Sequence, residues 1–406
     1  MNVEELVRQA LREQADGQPP APAGFADRVL AARRRRRLRA LASAAVATAA
    51  VVAVAVGVPP RDSGHHDDVR PARAVDDGGD RAHPDQSPPR ELIAAGRTAM
   101  AAYYTQRIVP RSGKRAVVRR TYWLADRKTG RYEKDDRWSF VAVAPGLRTA
   151  AVLERTLPAR RIGLLDLATG EVERWIPVAH AVAGLAFSCD GRRLVATTYS
   201  QSPDQVTEVT GEGAGGTGRG PWWGARVRTG FQVLDVASGQ GAWRSVPPGP
   251  HDFNREDFAF GRAGNLVYSR LVGERDGMQQ FYDLAGRKTD PPANERHLRS
   301  DVGARLSPDG RLAAWGLVAE PHGTSYSAIR DPLTGEEVAR ARGAQLLAWA
   351  DDRRLIAWER DPHREEYRDR LVLVTVGGKD VVPLSGYRAP DAEYPTRAWI
   401  PVFAER

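Results

Sequence analysis

Over the last three-quarters of the chain, apolar residues fall in short runs, not at helical spacing. Residues 194–199, 266–271, 312–317 and 355–358 mix branched, aromatic and small apolar side chains between polar turns. Runs of this kind predict strands covered on both faces. Two turn types punctuate them. The first is Ser307-Pro308-Asp309-Gly310, repeated as Ser188-Cys189-Asp190-Gly191 and, less faithfully, as Gly261-Arg262-Ala263-Gly264, Ala350-Asp351-Asp352-Arg353 and Val143-Ala144-Pro145-Gly146. The second is Asp-x-x-x-Gly, starting at Asp126, Asp166, Asp235 and Asp331, one residue shorter at Asp283, and degenerate at Thr375-Val376-Gly377-Gly378. Successive Asp residues are 40, 69, 48 and 48 positions apart. Hairpin chemistry accounts for both types, because Asp bonds its own backbone and Gly accepts positive φ.

A period of 40 to 50 residues built from short strands predicts the blades of an all-β propeller. Six copies fit the chain from about residue 98 to 406. Seven blades are the alternative, if the opening segment and the C-terminal run build one more. The run 398–403 is expected to add a closing strand to the first blade, with Pro401, which lacks a donor, at an edge.

The stretch Leu306-Ser307-Pro308-Asp309-Gly310-Arg311-Leu312 and its cousin Phe187-Ser188-Cys189-Asp190-Gly191-Arg192-Arg193-Leu194 resemble the repeat turns of TolB-like and WD40-like propellers. The resemblance spans about three-quarters of the chain and implies a fold, not an activity. No Trp-Asp dipeptide occurs, and the Ser-x-Asp-x-Gly-x-x-Trp box of sialidases is missing. The whole layout looks like the membrane-anchored propellers of high-GC actinobacteria.

One segment departs from the strand pattern. Residues 40–58 are 19 residues without a charge, nine of them Ala and six Val. As a helix they would span roughly 28 Å, near the hydrocarbon thickness of a bilayer. Arg33, Arg34, Arg35, Arg36, Arg37 and Arg39 precede the segment and Pro59-Pro60 follow it. Positive charge stays inside, so a single-pass transmembrane helix is expected, with the N-terminus cytoplasmic and the propeller outside the cytoplasm at the cell membrane. A cleaved signal peptide and a buried Ala-rich helix are the alternatives. The expected organisation is a cytoplasmic tail with a short amphipathic helix (1–39), the membrane helix (40–58), a disordered linker (59–97) and the propeller (98–406). Val3, Leu6, Val7, Ala10 and Leu11 share one helical face of the tail, which would dock a cytoplasmic partner or stay unstructured.

Charge narrows the partners. The net charge is +9, and residues 1–39 hold nine Arg against five acids, leaving a surplus of about five for the rest. Counterion-release binding to nucleic acid is therefore not implied. Cys189 is the one cysteine, which rules out an intramolecular disulfide.

The candidate chemistry is sparse. Residues 211–224 match Gly-x-Gly-x-x-Gly formally, but Gly and Pro forbid the helix that a dinucleotide site needs. The tandem Trp222-Trp223 at the end of this insertion would pack back on the propeller or grip a sugar or peptide. His251 and Asp252, with Asn254, Glu256 and Asp257, share one connection that would line the mouth of a central channel. No nucleophile elbow, zinc-protease helix, metal set or cofactor motif is present in the sequence. The leading expectation is a membrane-anchored scaffold whose outer propeller binds protein, peptide or glycan. The rivals are a transmembrane sensor whose tail docks a cytoplasmic regulator, and a lactonase-like or hydrolytic propeller, so enzymatic activity stays open.

Overall fold

The computed structural model describes residues 79–113, 115–209, 218–221, 227–249, 255–271, 275–361, 368–388 and 398–406. In chain order the strands begin with β1 (Ala94–Ala95), β2 (Thr98–Pro110), β3 (Arg115–Asp126), β4 (Arg131–Asp135), β5 (Trp138–Val143), β6 (Thr149–Glu154), β7 (Ala159–Asp166) and β8 (Val172–Phe187). Next come β9 (Arg193–Tyr199), β10 (Gln205–Val209), β11 (Gly218–Pro221), β12 (Arg228–Asp235), β13 (Gly241–Ser245), β14 (Ala259–Phe260), β15 (Leu266–Arg270), β16 (Gln279–Asp283) and β17 (Lys288–Thr289). The last are β18 (Ala313–Ala319), β19 (Tyr326–Arg330), β20 (Glu337–Arg342), β21 (Gln345–Trp349), β22 (Arg354–Arg360), β23 (Asp369–Thr375), β24 (Val381–Pro383) and β25 (Ile400–Glu405).

These strands form antiparallel meanders, and the fold is an all-β propeller. β14 to β17 and β21 to β24 are four-stranded sheets in sequence order. β18, β19 and β20 form a three-stranded sheet, and the isolated bridge of Leu306 with Ala313 lies ahead of it. β5 to β9 continue into β12 and β13 as one run, because β8 serves two meanders. Its first half pairs with β7 (Ile176 opposite Ile162), and its second half pairs with β9 (Phe187 opposite Leu194). In the first sheet β25 pairs with β2, so the chain's last strand opens its first meander, Thr98 facing Glu405 and Tyr103 facing Pro401. The expected closing strand is thus present. β5 stands against both β25 and β8, and β14 against β8, so the meanders succeed one another side by side.

The repeat turns have the expected chemistry. Ser307 Oγ donates to Asp309 Oδ1 (2.6 Å), which also accepts from Arg311 N (3.0 Å), while Leu312 N donates back to Ser307 Oγ (2.9 Å). Ser188, Asp190, Arg192 and Arg193 repeat the same mesh at 2.6, 3.0 and 3.0 Å. Gly310 sits at φ 74° and Gly335 at 78°, which a side chain disfavours.

The core lies between sheets. Val195, Phe231, Phe258, Phe260 and Val267 pack one interface, and Ala314, Ile329, Trp349, Leu355 and Val372 another. Ile93, Met100, Tyr103, Trp358, Trp399 and Phe403 tie the last sheet to the first. Each such side chain contributes about 1.5–3 kcal/mol by leaving water.

Part of the expected linker is built into the domain. Ile93, Ala94 and Ala95 are fully buried. Asp80 accepts from Gly96 N (2.9 Å) and from Arg354 (2.7 Å), and Gln86 Oε1 caps Arg90 N (2.8 Å). The run Leu92–Ala95 was hidden by the Pro, Gly and Asp that precede it, so the boundary at 97/98 falls inside a paired region. Among the described residues no helix is long and apolar enough to cross a membrane. Residues 1–58, with the proposed anchor and its arginines, lie outside the described residues.

Candidate functional site

In an antiparallel meander, alternate connections fall at opposite ends of the sheet. The Ser-x-Asp-Gly turns join first strands to second, and the Asp-x-x-x-Gly turns join third to fourth, so both repeat families share one end. The other end receives what does not repeat: the tip of the β2–β3 hairpin, the connection from β9 to β12, and the segments 246–258 and 361–368. Trp222 and Trp223 follow β11 within the β9–β12 connection, and His251 and Asp252 lie between β13 and β14. All four fall outside the described residues.

The β9–β12 connection reaches across to the first sheet. β10 pairs with β3 outside the meander, Gln205 opposite Val117 and Thr207 opposite Arg115, and β11 pairs with β10. β10 and β11 therefore extend the first sheet beyond β3. On that same edge β4 takes Tyr122 to Asp126. Val118 to Thr121 are left as a notch between β4 and β10, with Val118 N donating to Asp204 O (2.9 Å).

A buried ionic network underlies the notch. Arg120 clamps Asp204 with two bonds, Nη1 to Oδ2 at 2.6 Å and Nη2 to Oδ1 at 3.0 Å. Arg255 donates to the same Oδ1 (2.6 Å), to Asp257 Oδ2 (3.0 Å) and to Ala183 O (2.5 Å). Tyr199 completes the chain by donating to Asp257 Oδ1 (2.7 Å) and accepting from Glu256 N (3.1 Å). Four sheets and loops far apart in sequence thus meet here. The aromatic faces of Phe140 and Phe258 cover Arg255 and Arg228, at 5.1 and 4.7 Å.

The two carboxylates are driven in opposite directions. Burial pushes Asp204 up, but the charges and hydrogen bonds of Arg120 and Arg255 outweigh it and hold the group below its ordinary value. Burial also pushes Asp257 up, and Arg255 with Tyr199 only partly offsets it, so it stays above its ordinary value. Burial and the neighbouring Asp257 raise the Tyr199 hydroxyl as well. Both Asp204 oxygens are engaged by guanidinium groups, so this network acts as a charged strut and not as a proton shuttle.

A second clamp lies at the same end of the last two sheets. Glu359 is buried and accepts from Arg342 (2.7 Å) and Arg370 (2.8 and 3.0 Å). Sequence reasoning passed over Arg120, Asp204 and Arg255 because nothing local marks them. The available signals were Arg119-Arg120 between the apolar runs Ala116–Val118 and Tyr122–Ala125, and the charged triplet Arg255-Glu256-Asp257. It did group Glu256 and Asp257 with His251, as lining for a channel mouth, whereas both side chains are buried in the network.

No protein-family model matches this chain, and no curated protein matches it. Among solved structures it is similar to TolB from Acinetobacter baumannii, at 17% identity and a TM-score of 0.36 over 76% of this chain and 68% of that one. It is also similar to the β-propeller domain of Myceliophteria thermophila Cps50 (Swd1), at 14% identity and a TM-score of 0.37 over 70% and 87%. A third likeness is to Kuenenia stuttgartiensis hydrazine synthase, at 14% identity and 0.36 over 62% and 68%. The Ser-x-Asp-Gly turns of the sequence resemble those of TolB-like and WD40-like propellers. Superpositions this loose assign neither ligand nor activity.

Proposed function

We propose that this protein is a membrane-anchored binding scaffold whose propeller presents its non-repeating end to a protein, peptide or glycan outside the cytoplasm. The observation that carries the reading is the segregation of the two sheet ends. One end consists of short, self-satisfied turns. The other gathers the extension of the first sheet by β10 and β11, and the notch beside it; Trp222, Trp223, His251 and Asp252 are the residues proposed to serve it. Binding surfaces on rigid scaffolds are built from variable loops of this kind.

The pairing pattern supports six blades, counting β25 as the first strand of the first blade, each half of β8 separately, and the Leu306 bridge as an opening strand. The anchor at 40–58 and its orientation rest on apolar length and on Arg33 to Arg37 and Arg39.

Protease protection on wall-less cells tests the topology, with tags at both ends. The expected result is a digested C-terminal tag and an N-terminal tag that survives on a membrane-bound fragment. A soluble protein with both tags protected overturns the anchored reading. Binding is tested by presenting residues 79–406 to panels of cell-surface peptides and glycans. Replacing 206–226 with a short linker should abolish the signal; an unchanged signal would move the site elsewhere.

A further inference from the structure

The first described residue and the last residue of the chain meet at the repeat-turn end of the sheets. Arg406 donates from Nη2 to Gly79 O (2.7 Å) and from its backbone N to Arg97 O (2.9 Å), and Arg97 pairs with Glu405. Arg97 N donates to Ala350 O (2.9 Å), and Asp80 accepts from Arg354 (2.7 Å), which holds both ends against the turn at 350–353. The approach is close: a Cβ on Gly96 would overlap Ala350 O. Gly146 N donates to Glu405 O (2.8 Å), which brings the turn at 143–146 to the same place.

Entry at one end of the sheets fixes how far away the other end lies. β2 starts at Thr98, beside the entry point, and runs 13 residues to Pro110, a rise of roughly 40 Å. The tip of the β2–β3 hairpin is therefore carried about that far from Gly79. Residues 59–78 join Gly79 to the apolar run at 40–58. As the disordered linker that their composition predicts, a stretch of that length has a root-mean-square reach of about 25 Å. To turn the hairpin tip towards the membrane, the linker would have to run back along the whole of β2, beyond that reach. With the turn end towards the membrane it has no strand to pass.

We propose that the propeller stands with its repeat-turn end towards the membrane and its non-repeating end away from it, so that its ligand surface meets partners beyond the membrane surface and not the headgroups of the bilayer that holds the anchor. The proposal rests on the anchored reading given above.

The test is energy transfer from a single dye on the full-length protein to acceptors on the lipid headgroups of vesicles that hold it. In a Cys189→Ala background, Arg311→Cys and Arg353→Cys put the dye on exposed turns, and Ser112→Cys puts it on the exposed hairpin tip. Transfer should be several-fold stronger from positions 311 and 353 than from 112, in variants that melt with their parent. Two turn positions guard against a dye that disturbs one of them. Inserting about 40 Gly and Ser residues after position 78 raises the reach to about the length of β2, and should bring the three efficiencies together. Equal transfer from all three positions with the natural linker, or stronger transfer from 112, overturns the proposal. A difference that survives the insertion overturns the tether as its cause. Protein that does not float with the vesicles overturns the anchored reading, and the orientation falls with it, whereas floating protein with the wrong order of transfer leaves the anchor standing.

Discussion

Asp204 joins two guanidinium groups that would otherwise be buried side by side. Removing one member of such a set leaves charge uncompensated, which costs about 3–5 kcal/mol. Asp204→Asn is therefore expected to destabilise the domain by that amount at neutral pH in chemical denaturation. The pH dependence separates the two carboxylates. Asp204 titrates lower folded than unfolded, so its contribution is present above the unfolded value, near pH ~4, and is lost as pH falls through the folded value. Asp257 titrates higher folded than unfolded, so its contribution is complete below pH ~4 and is lost as pH rises through the folded value. Denaturation series should show the cost of Asp257→Asn shrinking as pH rises through that window. The cost of Asp204→Asn should hold there and shrink only in stronger acid. Gly184 makes the same network sterically testable, because a Cβ there would overlap the Asp257 carboxylate. Gly184→Ala should lower the melting temperature by several degrees, whereas alanine at Gly316, where a Cβ meets nothing, should not.

At the level of elements, the extension by β10 and β11 is separable from the meander that carries it. β9 and β12 pair directly with each other from Arg193–Asp235 to Thr198–Gly230, so the connection between them is not needed to hold them together. Replacing 206–226 with a short linker should leave that pairing intact. In hydrogen exchange, protection should fall at 115–116 and persist at 122–126, where β4 covers the edge. Equal loss in both segments would mean that β10 supports the whole first sheet. The insertion also shows where sequence reading stops. Its Gly content and the 69-residue spacing mark an interruption, but nothing within it names β3 as its partner, since an edge offers only backbone groups.

For the domain as a whole, closure depends on the last six residues of sheet. Val402, Phe403 and Ala404 are buried against β2, and Glu405 pairs with Arg97. Ending the chain after residue 399 removes an entire strand and uncovers the interface of Tyr103, Trp358 and Trp399. Two large side chains alone account for about 3–6 kcal/mol. A melting temperature lower by about 10 °C or more is expected, read by circular dichroism. A truncated domain that melts like the intact one would show that β2 closes against the last sheet unaided.

Sequence alone determined what is settled within a few residues. Ser307, Asp309 and Leu312 bond one another across two to five positions, so the turn exists wherever the tripeptide pattern does, and its recurrence implies the propeller. Tertiary structure alone decided what depends on distant partners. Asp204 meets Arg120 across 84 positions and Arg255 across 51, and Arg107 meets Arg119 through the register of a hairpin whose tip carries no repeat. Turn chemistry is local and leaves a local mark. A charge network is a property of where strands converge, and its members look in sequence like any other arginine or aspartate.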